Sequence, residues 1–409
     1  MLIRTRHLLN RGLSTYLDSS PLLTPLPFHA ELRENVRTFV GKKVEPQALE
    51  FNREERLNVG LLRSLGEMGL FGLTIEEGGL STGKFAHDVI SVVIAHEELA
   101  ASDPALCLGY LAHSLLFVHN FHVNASEELK GKYLDKVVAG ELIGGMCMSE
   151  PEAGTDVLAM KTKAEKKEGN YVITGNKMWI TNGCLDEKTA GDLFLVYAKT
   201  GDGVSLFLVE NTRPGFALGQ KIKDKCGMRA RCTAELVFDG CQVPAGNLIG
   251  QEGQGLVPMM KNLEIERIAL AAMALGIARR SLEVMVTYAN DRKTFGKNIA
   301  QYGQIQEYIA ESFAEYQAAR SYVYNASLAL GESNSLTRTR ADSDGVKLFA
   351  TQVAKKIADR AIQTLGGYGY CGEYVVERLW RDAKLLEIGG GTIQAHQKNI
   401  AKDLSYLIK

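Results

Sequence analysis

From Gly144 to about Gly250 the chain is a succession of short β-rich runs with no helix-length segment among them, while the text on either side is helix-periodic. GGMCMSE, NYVITGNKMWITNG, DLFLVYAK, VSLFLVEN and TAELVFDGCQVP are separated by Gly, Asn and Pro at strand-and-turn spacing. Strands and helices are therefore segregated along the chain instead of alternating, which argues against a Rossmann-type fold. Upstream, HAELRENVRTFVGKKV, LLRSLGEMGLFGL and HDVISVVIAHEELAASD carry apolar residues at helical spacing, with a Gly-rich turn, EEGGLSTG, before the third. ALCLGYLAHSLLFVHNF is apolar enough to be the central helix of that unit. Downstream, helices are expected over roughly Leu256–Ala289, Tyr302–Leu330 and Asp342–Leu365, with a last one from Ile393; such lengths suit an antiparallel bundle. The expected architecture is a multidomain α+β protein: an N-terminal α-helical domain over 28–143, a middle β-barrel or sandwich domain over 144–250, and a C-terminal helical bundle domain over 251–409. A length of 409 residues fits two or three such units.

Composition narrows the function classes. A net charge of -1 without an extended basic block gives no support to nucleic acid as a partner. No uninterrupted apolar run reaches the roughly 18 residues of a membrane span, so no integral membrane association is expected. The seven cysteines form no CxxC pair and read as reduced structural thiols. His113, His119 and His122 have no carboxylate or Cys spaced to complete a metal site; they read as core or crevice histidines, and no metal is expected. Residues 1–20 carry Arg4, Arg6 and Arg11, no acid before Asp18, and leucines between the cations. That is the composition of a mitochondrial presequence, and it points to the mitochondrial matrix.

In NLEIERIALAA, residues 262–272, a helix aligns Glu266 with Met259, Leu263, Leu270, Met273 and Ile277. A carboxylate on that side faces packed interior. Burial disfavours its charged form, which moves it toward the range of a general base. Pairing with Arg267 is the alternative for such a residue. Gly367-Tyr368-Gly369-Tyr370-Cys371-Gly372 satisfies GxGxxG, but the preceding text is helical, so it is no dinucleotide fingerprint. Its glycines let a turn approach something flat or charged.

MSEPEAGTD (148–156), KMWITNG (177–183), GMRARCTAELVFDGCQVP (227–244), RKTFGK (292–297), QTLGGYGY (363–370) and RDAKLLEI (381–388) occur in this order. Together they resemble the acyl-CoA dehydrogenase family over essentially all of residues 28–409. The resemblance implies an α-helical, a β and a four-helix domain holding one FAD per subunit in a homotetramer. It implies flavin contacts from Met146, Met148, Ser149 and Thr155, the last also near substrate. Trp179, Ile180 and Thr181 would stand at the flavin's exposed side, where electrons leave. Arg292, Thr294 and Phe295 would reach the FAD of a neighbouring subunit. Gln363, Gly366 and Gly367 would hold its adenine end, and Thr392 and Gln394 its diphosphate region. Glu264, Arg267 and Gly389–Gly391 would lie near the acyl-CoA.

Most of the family carries its base in a Tyr-Glu-Gly-Thr stretch. Here that stretch reads Gly389-Gly390-Gly391-Thr392, without a carboxylate. The isovaleryl-CoA and long-chain branches place the base on the bundle helix instead, where this chain has Glu266. Gly at 389 resembles the isovaleryl branch and leaves room beside the thioester for a methyl branch at C3. The resemblance thus implies FAD-dependent α,β-dehydrogenation of isovaleryl-CoA to 3-methylcrotonyl-CoA in leucine catabolism. Glu266 would remove the α-proton, the backbone N–H of Gly390 would polarise the thioester carbonyl, and electron-transfer flavoprotein would be the acceptor. The alternatives are a dehydrogenase for straight-chain acyl-CoA, an acyl-CoA oxidase and a non-catalytic flavin-binding relative. The chain departs from the family at Gly390, where the branch has Ala; at Gly303, usually Gln; at Val257, usually Tyr; and after Thr392, where IQAHQKN lacks the customary basic pair.

Overall fold

The computed structural model describes residues 11–75, 88–201, 203–332 and 336–408. The first ten residues of the expected presequence and the EEGGLSTG turn lie outside the described residues. The chain forms two compact bodies.

One body is built from residues up to Leu49, Val89–Pro104 and the chain from Arg267 onward. Its long helices are the C-terminal part of Leu256–Asp291, then Gly303–Glu332 and Leu336–Leu365. Leu336–Leu365 packs on Gly303–Glu332, on Val375–Leu386 and on Ile393–Leu407. The three long helices and the last one lie where the hydrophobic period puts them. Val375–Leu386 was absent from the expected set; its twelve residues bury Val376, Leu379, Ala383 and Leu386 on one face. Helix Val89–Ala100 packs against both Pro27–Phe39 and Gly303–Glu332. It is buried from Ile90 to Ala100, the apolar first half together with the polar His96, Glu97 and Glu98.

That burial includes Glu97 and Glu98, and charge is supplied to them from four arginines. Arg279 forms a two-pronged bond to Glu98, at 2.8 and 2.7 Å. Arg33 lies 3.0 Å from Glu97 and 2.6 Å from Glu98. Arg37 adds to Glu98 at 2.8 Å, and Arg320 to Glu97 at 2.9 Å. Arg320 also donates to the Leu17 carbonyl at 2.8 Å and to Asp18 at 2.8 Å. Leu17 and Asp18, inside the stretch read as a presequence, are thus tied into this body.

The other body spans Glu50–Asp88 and Ala105–Glu266. Its strands are β1 (Gly144–Cys147), β2 (Lys163–Lys167), β3 (Asn170–Thr181), β4 (Leu193–Thr200), β5 (Gly203–Glu210), β6 (Phe216–Lys221), β7 (Thr233–Pro244) and β8 (Leu248–Ile249). They join in one sheet of order β6-β7-β3-β2-β4-β5-β8, with β1 parallel to β4. Alternation along β4 decides the packing. Leu193, Leu195 and Tyr197 join a cluster with Phe117, Phe121 and Tyr133 from the helices, while Phe194, Val196 and Ala198 join a second cluster with Phe207, Leu236 and Phe238. Gly144 has no side chain because a Cβ there would sit 2.3 Å from the Phe117 ring. The Pro104–Asn124 helix is long and apolar enough to cross a membrane by length and composition, and most of it is buried in the protein. His113 within it donates to the Val137 carbonyl at 2.8 Å and accepts from the Gly144 N–H at 2.9 Å, the bonding of a neutral core histidine.

Candidate active site

In the sheet-containing body, Glu266 closes a helical segment whose Met259 and Leu263 pack into the cluster around Phe117 and Tyr197. Its carboxylate is buried, 6% exposed. Burial, with the Glu266 charge adding to it, pushes the Tyr197 phenol up. Tyr197 thus stays protonated and accepts from Asn120 Nδ2 at 3.2 Å. Neither Asn120 nor Tyr197 stood out in the sequence; Tyr197 is one aromatic in an alternating strand, and only the fold brings it to Glu266.

The 148–156 turn is fastened to β3. Met178 N–H donates to the Ser149 carbonyl at 2.9 Å, and Lys177 Nζ to the Met148 carbonyl at 3.0 Å and to Glu150 at 2.8 Å. Glu150 also accepts from the backbone N–H groups of Lys161 and Thr162, at 2.6 and 3.1 Å. Burial works to raise the Glu150 carboxyl, and these donors hold it below the usual range. Met146, Met148 and Ser149 are half-buried beside this anchor, and Thr155 is exposed at the turn's end.

Beyond Lys177, β3 breaks register with β7 before Ile180. Trp179 there adopts φ +60 and is 53% exposed. A bulky residue in the left-handed region costs on the order of 1–3 kcal/mol, and such strain clusters at ligand clamps. Ile180 is buried, and Thr181 Oγ1 accepts from Arg231 at 2.6 Å, a bond that does not use the hydroxyl proton. Arg231, buried and missed by the sequence reading, also bonds Thr233 at 3.1 Å.

In the helical body, a cavity of about 530 Å³ is lined by Tyr288, Arg292, Thr294, Thr364, Gly366 and Gly367, among others. Residues from two separate motifs, RKTFGK and QTLGGYGY, thus meet at one cavity of ligand size. Gln363 is exposed one turn back on the same helix. Phe295 stands 94% exposed at φ +47 in the tip of a two-residue hairpin. The GxGxxG text follows a helix and forms the short helix Gly367–Tyr370, as its context required.

The Gly389–Gly391 turn follows Val375–Leu386. Gly389 N–H donates back to the Leu385 carbonyl at 2.8 Å. Gly390 and Gly391 take φ +65 and +101, where an L side chain is strained. The Gly390 N–H makes no hydrogen bond to any described residue. Thr392 then caps the last helix, its Oγ1 accepting from Ala395 N–H at 3.2 Å, and Gln394 is exposed. Glu264 is half-buried, and Arg267 is buried with Nε 3.1 Å from Asp344 Oδ1. The Arg267 guanidinium is thus ion-paired with Asp344.

Three family models match consecutively: the N-terminal domain of acyl-CoA dehydrogenase over residues 27–141, its middle domain over 145–241 and its C-terminal domain over 253–405. The chain belongs to the acyl-CoA dehydrogenase family. A mitochondrial isovaleryl-CoA dehydrogenase of Oryza sativa subsp. japonica is 40% identical over 383 residues, 91% of this chain and 90% of the relative. A mitochondrial 2-methylacyl-CoA dehydrogenase of Solanum tuberosum is 37% identical over the same length, again 91% and 90%. Among solved structures, a glutaryl-CoA dehydrogenase from Mycobacterium smegmatis in complex with FADH2 superposes with a TM-score of 0.87. It is 27% identical, with 96% of this chain and 97% of that one covered.

Membership makes this chain an acyl-CoA dehydrogenase oxidoreductase and a flavoprotein, and the residues present fit the cofactor. The cavity at Arg292 offers a guanidinium and the backbone of two glycines to an anionic, flat ligand. Trp179 offers an exposed ring two residues before Thr181, whose hydroxyl accepts from Arg231.

Proposed function

We propose that this acyl-CoA dehydrogenase oxidises isovaleryl-CoA to 3-methylcrotonyl-CoA, with Glu266 as the base. FAD, when bound, supplies the hydride acceptor; the chain's own residues supply proton removal and orientation. Glu266 takes the proton from the carbon next to the thioester. Gly390 N–H receives the thioester oxygen and stabilises the negative charge that develops there as the proton leaves. Met146, Met148, Ser149, Thr155, Trp179, Ile180 and Thr181 hold the flavin. Arg292, Thr294, Phe295, Gln363, Gly366, Gly367, Thr392 and Gln394 hold the rest of FAD across a homotetramer. Glu264, Arg267, Gly389 and Gly391 flank the acyl chain, and electron-transfer flavoprotein takes up the electrons.

The observation that carries this reading is the buried Glu266 carboxylate, in a chain whose 389–391 turn contains no acid. The absence of side chains at 389–391 favours a branched acyl group over a straight one. The 2-methylacyl-CoA relative favours a second reading, with the branch at C2. Anaerobic mixing of the holoenzyme with isovaleryl-, 2-methylbutyryl-, butyryl- and octanoyl-CoA separates them by the rate of flavin bleaching. Isovaleryl-CoA is expected to be fastest; faster bleaching by any other member of the series defeats the assignment. A mitochondrial matrix location goes with this reading, as the curated relatives are mitochondrial. A presequence that ends before Leu17 would leave both Arg320 contacts, to the Leu17 carbonyl and to Asp18, in the mature chain.

A further inference from the structure

Three consecutive glycines are a poor support for a catalytic hydrogen-bond donor, because each adds backbone freedom that must be removed to aim it. The turn is fastened from behind by side chains that its own chemistry does not require. Lys347 Nζ donates to the Gly391 carbonyl at 2.5 Å and lies 3.0 Å from His396 Nε2. His396 Nδ1 is 2.6 Å from Asp344 Oδ1, the same oxygen that Arg267 Nε approaches at 3.1 Å. Lys347, Asp344 and His396 are all 0% exposed and Arg267 is 5% exposed. A Cβ on Gly391 would sit 2.9 Å from His396 Cε1, so the imidazole also fills the space under the turn.

The bonding fixes the tautomer. A nitrogen 2.6 Å from a carboxylate must carry a proton, so His396 Nδ1–H donates to Asp344. Burial, and then the Lys347 charge, lower the His396 pKa against the pull of Asp344, so the ring is neutral at pH 7. Nε2 then faces the Lys347 ammonium with its lone pair and lies 3.0 Å from the Gly391 carbonyl oxygen, so the ammonium sits against both acceptors. The chain of bonds runs Asp344 to His396 to Lys347 to Gly391, each partner setting the direction of the next. The Lys347 ammonium on the Gly391 carbonyl places a positive charge next to the turn, a sign that favours negative charge building up on an oxygen held there.

We propose that Lys347, aimed by the Asp344–His396 pair, is a positioning residue that locks the Gly389–Gly391 turn so that the Gly390 N–H is presented to the thioester oxygen. The proposal rests on the role assigned to Gly390 above. It gives this chain a rigid donor despite a glycine where the family branch has alanine. The turn is gripped at both ends, by Leu385 before it and by Lys347 after it, and Gly390 is left between the grips.

The test uses the FAD-loaded enzyme and its Lys347→Met variant, which keeps the buried chain and removes the donor. Two quantities are read with whichever acyl-CoA bleaches the wild-type flavin fastest. One is the limiting rate of flavin reduction, separate from the substrate concentration at half-saturation. The other is the isotope-edited carbonyl stretch of the bound enoyl thioester. The expected result is a limiting rate lower by about 10²-fold, the size of a sub-ångström to ångström misplacement, with half-saturation little changed. The carbonyl stretch should move back toward its value in water, and Lys347→Arg should recover part of both. An unchanged rate and stretch in folded Lys347→Met overturn the proposal. If Lys347→Met does not fold, His396→Asn leaves Lys347 in place without its guide; a smaller change of the same kind supports the proposal and none overturns it. A wild-type enzyme that does not shift the carbonyl stretch at all defeats the Gly390 reading itself, and the proposal with it.

Discussion

Arg267 Nε lies 3.1 Å from Asp344 Oδ1, both side chains buried, although Arg267 is the chain neighbour of Glu266. A buried pair loses heavily when one partner is removed, because the other charge is left uncompensated. Asp344→Ala should lower the stability of the protein by about 3–5 kcal/mol. A thermal or denaturant melt of the FAD-loaded protein measures this, and a midpoint indistinguishable from wild type would show that the pair is not formed.

The Glu97–Glu98 cluster makes stability depend on acid. Burial alone would raise the Glu97 carboxyl, but Arg320, Arg33 and Arg279 outweigh it and hold it at about 2, down from 4.5. A carboxylate depressed in the folded state stabilises fully above its unfolded pKa, and that contribution is lost as pH falls. Stability should therefore decline from about pH 4.5 toward about pH 2, as Glu97 is forced to take up a proton. Urea midpoints measured across that window test the slope. Glu97→Gln should be less stable at neutral pH and should show a shallower decline, since it has no proton to gain.

Arg292 lines the ligand-sized cavity beside Gly366 and Gly367. Loss of a charged donor to a phosphate costs about 1.5–3 kcal/mol. Arg292→Ala should therefore release FAD about 10- to 100-fold more readily. Flavin retained after gel filtration and the concentration of added FAD that restores flavin absorbance both report it. Equal retention in variant and wild type would remove Arg292 from the cofactor site.

Much of this protein is legible in its amino-acid sequence. The spacing of Met259, Leu263, Leu270, Met273 and Ile277 was enough to place Glu266 inward, and all but the half-buried Leu263 are buried as expected. The run of β-rich segments gave the sheet its limits, since nothing between Gly144 and Ile249 could be a helix of useful length. Val375–Leu386 escapes the sequence reading because it is short and five of its twelve residues are charged, so its text reads as a motif and not as an amphipathic face. The buried polar clusters were illegible for a different reason. Asp344 and His396 are 52 positions apart and Lys347 and His396 are 49 apart, so their pairing exists only once the helices have packed. On a helix such as Leu336–Leu365, charges ordinarily mark the solvent face, and nothing local distinguishes Asp344 and Lys347 from those that do. Arg231 is hidden in the same way, because its acceptor Thr181 stands at the end of β3, 50 positions earlier.

The assignment of Glu266 as the base is tested most directly by mixing FAD-loaded Glu266→Gln anaerobically with isovaleryl-CoA and following flavin absorbance. The variant keeps the size and burial of the side chain and loses only the proton acceptor. Flavin should remain bound and be reduced slower than wild type by about 10²- to 10⁴-fold, the contribution of a general base. Reduction at a near wild-type rate would show that another group removes the proton, and the assignment would fall.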